Sequence, residues 1–413
     1  MANDFKNTSL VVKWAVKAFL NSLQLGAKVD RQLDEKNIFS GKIGATAKVR
    51  RAVYFAATDG EVIGSGETSD IEEGTVDVTL AFRKKVVFSI TSQDQTLKIE
   101  DAYERYIMPA MQELAQKVES EIAAVYKYIY NFVGTPGTSP GTFLAVAQAK
   151  AKLDNLGVPM DQKRCAFYDP DSSITLADGL KAVFPQKIAT KAIEEAAIGR
   201  YSGFEIYTNQ SLKIHTVGVA TGTPLVNGAS QNTTYLLSKD TWTQSLVTDG
   251  WTNSQTGILK AGDVFTIAGV NSVNRRTRED TGSLAQFVVT ADADSGASTG
   301  PATLTISPPI ITSGPYKTVT AAPADNAAIT VKTGTGGTSY RQNLAFHKNA
   351  ITLAVAQLDL PQDGATASRE NYKGVSIRLV RQYNVTTDKT VMRFDILFGV
   401  KAQNPGFAVR TTS

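Results

Sequence analysis

Apolar positions along the chain change period several times, and each change marks a new element. Over residues 8–25, Leu10, Trp14, Ala18 and Leu25 fall near helical spacing with Lys13, Lys17 and Gln24 elsewhere on the wheel, and Gly26 supplies a stop. This predicts a short amphipathic arm. From 41 to 90 the period drops to two: Val76, Val78, Leu80, Phe82, Val86, Phe88 and Ile90 alternate with Asp77, Thr79, Arg83, Lys85 and Ser89. With the run 48–55, that alternation predicts a long two-stranded projection whose Gly-rich, acidic tip is 60–74. Between 99 and 133, Tyr103, Ile107, Ala110, Met111, Leu114, Val118, Ile122, Val125, Ile129 and Phe132 step by three and four. They predict one long helix of roughly 40 to 50 Å at ~1.5 Å per residue, with Pro109 in its first turn or at a kink.

After a break at 134–141 the pattern predicts a helix ending at Gly157, a strand at 165–168, helices through Ile198 and a strand at 204–207. Between 216 and 338 the chain becomes rich in Thr, Ser, Gly and Ala and poor in charge, with β-like pieces at 264–268, 287–290, 302–306 and 329–331. That stretch reads as a separate all-β module, a small barrel or sandwich. Helical character returns at 343–357, and two strands, 375–383 and 391–400, close the chain through Thr387 and Asp388. Mixed α+β pattern on both sides makes the β-module an insertion into a host domain. No fixed-period repeat is visible.

Composition narrows the chemistry. At 413 residues there is mass for two or three compact domains. A net charge of +4, from 43 basic and 39 acidic side chains, is too balanced for a strong global field, so any nucleic-acid contact has to be local. One cysteine, Cys165, excludes an intrachain disulfide framework and a thiolate zinc site, and suits a reducing cytoplasm. No apolar run reaches the ~18 to 20 residues that span a bilayer, and no secretory pattern opens the chain, so no membrane partner is expected.

Catalytic motifs are scarce. Gly137, Ser139 and Gly141 match a nucleophile elbow in letters, but a helix and not a strand precedes them, and Pro140 stands where the following helix should begin; they read as a turn. Two histidines, His215 and His347, read as hydrogen-bonded structural residues. Arg275, Arg276 and Arg278, followed by Glu279 and Asp280, read as a solvated loop or an intersubunit salt-bridge patch. No catalytic, cofactor or metal residue is expected, and the chain reads as a non-enzyme. The residues singled out for contacts between subunits are Arg50, Arg51, Arg83, Lys84 and Lys85 on the projection, with Glu67, Asp70, Glu72 and Glu73 toward its tip.

The order of elements resembles the capsid fold named after phage Hong Kong 97, and the inserted module narrows the resemblance to coat proteins of the phage P-22 type. The stretches that carry it are Asp101-Ala102-Tyr103 before the spine, Phe167-Tyr168-Asp169-Pro170, Gly203-Phe204-Glu205 leading to His215-Thr216, and the run from Lys260 to Val270 in the insert. Toward the end it rests on Asn343 through Ala350, Arg393 through Gly399, Pro405 and Ala408-Val409-Arg410. In that family's terms the segments are an N-terminal arm (1–40), an E-loop hairpin (41–95), the spine helix of a peripheral domain (96–140), a first part of an axial domain (141–215), an inserted β-barrel (216–338), a second axial part (339–374) and closing strands (375–413).

The resemblance implies a major capsid protein that self-assembles as hexamers and pentamers into the icosahedral head of a tailed double-stranded DNA phage. It implies a scaffolding protein, expected to be separate because the arm begins at residue 1, a portal, and packaged DNA held without sequence specificity. It leaves room for a decoration protein. The expected setting is the virion shell, with assembly in the host cytoplasm. Two rival readings stand beside it: an encapsulin-like compartment shell, against which the insert speaks, and a β-rich surface adhesin, which should carry a signal peptide or repeats.

Overall fold

The computed structural model of the chain describes residues 8–33, 45–55, 71–91, 103–180, 199–361 and 365–412. Two units emerge. Met1–Val49, Asp77–Ala123 and Ile351–Lys401 form the first, and Arg50–Val76, Ala124–Ala350 and Ala402–Ser413 form the second.

In the first unit the arm is the helix Thr8–Ser22. Its buried stripe is Val11, Val12, Ala15, Val16 and Phe19, while Leu10 and Trp14 lie half-buried at the borders. Two adjacent apolar pairs repeating at four residues win over single large side chains, because together they cover a wider face. This helix packs on the helix Met108–Ala123 and on the strands Thr366–Tyr372 and Val375–Asn384. Met108–Ala123 buries Met111, Leu114, Ala115, Val118 and Ile122, as the stepping predicts. Its 16 residues give about 24 Å of α-helix, with a π turn, Tyr103–Ile107, before it. The uninterrupted α-helix is therefore shorter than expected. Pro109 stands in its first turn, where no N–H is needed. Glu119, buried on this helix, accepts the main-chain N–H groups of Gln24 and Leu25, the latter at 2.8 Å, and so ties the end of the arm to it.

Behind the helices lies a six-stranded sheet in the order Asp30–Leu33, Ile351–Ala356, Lys389–Ala402, Val375–Asn384, Thr366–Tyr372, with Phe82–Thr91 also paired to Lys389–Ala402. Two expectations change here. Phe82–Thr91 alternates as read, but it is not an arm of the projection: ten residues pair antiparallel with Lys389 through Phe398. Alternation tells which face a side chain takes and is silent on which strand lies alongside. The strands that pair at the foot of the projection are short, Thr46–Arg50 with Thr75–Thr79. The helix expected at 343–357 is instead two strands, Ser339–His347 and Ile351–Ala356, joined by a single turn. Every residue of Ile351–Ala356 is buried, so the segment is covered on both faces and shows a continuous apolar run in place of alternation. Its Ala and Leu content then imitates a helix.

In the second unit a seven-stranded sheet runs Phe132–Val133, Ala408–Thr412, Ser339–His347, Arg164–Tyr168, Phe204–Thr208, Arg200–Tyr201, with Ile214–Thr216 added on Ser339–His347. Ile214 to Thr216 pairs with Arg341 to Ser339, so the two ends of the intervening segment lie side by side. That segment forms its own antiparallel sheet, in the order Gly222–Val226, Gln244–Trp251, Ala302–Ser307, Asp280–Val289, Val264–Val273, Ile329–Val331. Its outer strands meet at a Leu225–Ala328 bridge, with Val226 donating to the Ala327 carbonyl at 3.0 Å. Leu246, Trp251, Phe265, Ile267, Phe287, Leu304 and Ile306 fill the space inside. Two of these strands, Gly222–Val226 and Gln244–Trp251, are broken by Pro224 and Gly250 and escaped the sequence reading.

Candidate functional site

The register of the first unit's sheet gathers charge that is scattered in sequence. Arg369 lies opposite Arg378, Arg378 opposite Asp395, and Asp395 opposite Lys85, a single row across four strands. Residues two apart on a strand share a face, so Arg83 and Arg393 stand on the same side as that row. Five cations thus share one face with a single carboxylate. The reverse face is apolar: Phe82 packs on Phe398 at 5.5 Å and Phe88 on Phe394 at 6.1 Å between ring centroids. Lys84 points to that reverse side and binds Glu121 of the helix Met108–Ala123 at 2.7 Å.

Asp395 is fully buried and carries the cluster. Arg378 meets it with two donors, Nε to Oδ1 at 3.0 Å and Nη2 to Oδ2 at 2.7 Å, while Arg83 and Arg393 approach Oδ2 at 2.9 and 3.1 Å. Burial alone would raise this carboxyl, but the hydrogen bonds from Arg378 and Arg83 and the nearby positive charges hold it below the usual carboxylate range. One negative charge is shared among three guanidinium groups, two of them about one-third exposed. The cluster therefore presents positive charge outward from a rigid sheet, a surface suited to an acidic partner.

Of the residues expected to make contacts, the structure brings Arg83 and Lys85 into this face and turns Lys84 away from it. Arg50 pairs with Glu73 at 3.2 Å, both well exposed. Arg51 turns inward, donating to the Gln403 carbonyl at 2.8 Å. Glu72 accepts from the Tyr316 hydroxyl through its main-chain oxygen at 2.9 Å. Glu67 and Asp70 lie outside the described residues. Arg369, Arg378, Arg393 and Asp395 were missed in sequence. An aspartate inside the apolar run from Met392 to Phe398 was the available signal, since an unpaired charge is not tolerated there.

Other candidates settle into structural roles. His215 bonds Asp263 at 2.9 Å and the Tyr126 hydroxyl at 3.2 Å, and His347 bonds Asp161 at 2.8 Å. The 137–141 stretch is a turn running into the helix Phe143–Asn155, which Thr142 caps. Arg275 is not in a solvated loop: it is partly buried and bonds the Tyr130 hydroxyl at 2.6 Å. Among the described residues no three or more His, Cys, Asp or Glu side chains gather as a metal cluster would, and no helix is long and apolar enough to cross a membrane.

Residues 1–410 match the family model of the P22 coat protein, gene protein 5. The chain is 26% identical, over 432 aligned positions covering 98% of each, to the major capsid protein of Acyrthosiphon pisum secondary endosymbiont phage 1. Among solved structures it is similar to a chain of Mycobacterium phage Che8, at 12% identity and a TM-score of 0.45 over 94% of this chain and 90% of that one. It is also similar to a chain from the capsid of Ralstonia phage GP4, at 7% identity and a TM-score of 0.46 over 94% and 87%.

Proposed function

We infer the function from one premise, that the chain belongs to the P22 coat protein family. It is a major capsid protein of a tailed phage, a structural subunit with the Hong Kong 97-like capsid fold that self-assembles into the virion shell. The match across residues 1–410 is the observation that carries this reading.

Finer assignments are our proposal. The subunits form hexamers and pentamers in an icosahedral head, assembled in the host cytoplasm on a separate scaffolding protein, with a portal at one vertex and double-stranded DNA held inside without sequence specificity. The basic face around Asp395 receives the acidic stretch Glu67, Asp70, Glu72 and Glu73 of a neighbouring subunit, and charge complementarity supports that pairing. The exposed rim of such a contact sets assembly rate and salt dependence more than subunit stability. Reversing Glu72 and Glu73 to Lys is expected to leave the subunit folded and to lower the yield of closed shells several-fold by electron microscopy. Adding Lys85→Glu to the same chain should recover part of the loss. Unchanged yield and particle size in the first variant would leave the acidic stretch as a solvated tip.

The β-rich insert 216–338 is proposed to fold on its own and to stiffen the subunit from outside the host domain. Its ends are paired with each other at Ile214–Thr216 and Ser339–Arg341, so a host interrupted there is spared a wide gap. Expressed alone, the segment should give a dispersed β-type amide spectrum and a cooperative melt. A collapsed spectrum without a transition would tie its folding to the host.

A further inference from the structure

Arg51 and Arg275, both in the second unit, lie over one indole, their Cζ atoms 5.6 and 5.2 Å from the centre of the Trp242 ring. Each is partly buried, and neither meets a carboxylate among the described residues. Arg51 donates to the main-chain oxygens of Gln403 at 2.8 Å and Asp240 at 3.5 Å. Arg275 donates to the Tyr130 hydroxyl and also bonds the Tyr54 side chain. Burial pushes the Tyr130 phenol above its ordinary value, so it is neutral at pH 7 and brings no charge. The Asp240 carboxylate is occupied elsewhere, accepting from the Thr75 N–H and hydroxyl at 2.9 and 3.1 Å. Two like charges are thus held close together with no carboxylate in contact among the described residues, Asp240 acting on Arg51 only at longer range, an arrangement that proteins ordinarily avoid.

Two donors beside them are also unmet. Arg51 Nε and Trp242 Nε1 are buried and reach no acceptor among the described residues. Trp242 itself is 6% exposed and sits at a φ of 56°, a left-handed backbone that an L-residue adopts only at a cost of about 1 kcal/mol. The arginines and the indole border a cavity of about 10 Å³, closed further by Tyr54, Tyr235, Tyr316 and Asn404. That volume is of the order needed for one water-sized particle and is too small for a tetrahedral oxyanion.

We propose that this cavity binds one small monovalent anion of chloride size, held by Arg51, Arg275 and the indole N–H of Trp242. The wall offers unmet donors and positive charge that no carboxylate among the described residues touches. A water molecule would answer the donors and leave the two guanidinium charges facing each other. A chloride ion answers both. Burial first, and the Arg275 charge in addition, push Arg51 down to about 10 against the opposing pull of Tyr235 and Asp240, the direction that a bound anion would also oppose.

The test uses the full-length protein. Crystals soaked in bromide should show one anomalous peak within reach of Arg51 Nε and Trp242 Nε1. In solution at constant ionic strength, replacing gluconate by chloride should raise the melting temperature by several degrees and saturate, as ligand linkage requires. Trp242→Phe keeps a ring for the arginines but removes the N–H, and should shift the chloride midpoint at least threefold upward. Arg51→Met should flatten the dependence. No bromide peak at the site, or a chloride response identical in the wild type and both variants, would overturn the proposal.

Discussion

Asp395 collects three guanidinium groups, whereas Trp242 collects two and no acid. In the first unit the cluster is built by strand register, which places a carboxylate and its partners in one row on a rigid sheet. In the second, the arginines come from just past a strand end at Arg51 and a loop at Arg275, and what they find is an aromatic ring, carbonyls and phenols. Both give positive charge a place out of water, by different physics. A carboxylate cancels charge; a π face and carbonyl dipoles only soften it. The Asp395 cluster is therefore held together by its acid, and the Trp242 cluster is short of one anion.

The largest expected effect tests the first half of that contrast. Asp395→Asn leaves Arg378 with a neutral amide and should cost about 3 kcal/mol in urea unfolding, the scale of breaking a buried pair from one side, discounted because Arg83 and Arg393 are partly solvated. The pH dependence follows from the sign of the shift. A carboxyl held below its ordinary value stabilises the fold above the unfolded value of ~3.9, and that contribution is lost as pH falls through the folded value. The gap between wild type and Asp395→Asn should be constant above about pH 5 and should narrow below about pH 4. A loss under ~1 kcal/mol, or a gap that widens in acid, would show that the carboxylate does not hold the cluster.

Much of this was legible in sequence, and the limits have physical causes. The alternation of Phe82 to Ile90 and of 375–383 gave strands, and three-and-four stepping from Met111 to Ile122 gave a helix, because each element has one wet face. Ile351–Ala356 lost its signature by being buried on both faces. The basic face was half seen. The run 83–85 points to Arg83, Lys84 and Lys85 alike, although a one-residue step in a strand puts a side chain on the opposite face. Arg369, Arg378 and Arg393 could be joined to them only through Asp395, which lies 17 residues from Arg378 and 312 from Arg83, a pairing that no local pattern encodes. Arg275 misled for the same reason: its neighbours Arg276 and Glu279 are exposed, and the ring it stacks on is 33 positions away.

A smaller effect sharpens the second half. Arg51→Met removes a charge that faces Arg275 and touches no carboxylate among the described residues, while the thioether can still lie on Trp242. At low chloride the change should alter stability by about 1 kcal/mol or less in either direction, because the lost bond to the Gln403 carbonyl is offset by relief of repulsion. Unfolding of the two arginine variants in one buffer makes the comparison direct. Should Arg51→Met cost as much as Asp395→Asn under those conditions, the carbonyls and the indole would be compensating the charge fully, and the contrast between the clusters would fail.

The smallest effect belongs to Arg50, next in sequence to Arg51 and opposite to it in environment. Its guanidinium is 78% exposed and meets Glu73, itself 41% exposed, at 3.2 Å. Water screens both groups, and holding two long side chains in one geometry costs entropy, so such a pair contributes about 0 to 1 kcal/mol. Arg50→Ala should shift the urea midpoint by less than ~0.5 kcal/mol equivalent and become undetectable at high salt, where the Debye length falls to about 3 Å. If subunit stability fell by 2 kcal/mol or more and stayed low in salt, Arg50 would have to carry an interaction that its exposed position does not provide. The adjacent pair then supplies the internal scale: one residue along the chain exchanges solvent for an indole and a second arginine, and the difference between the two variants measures that exchange.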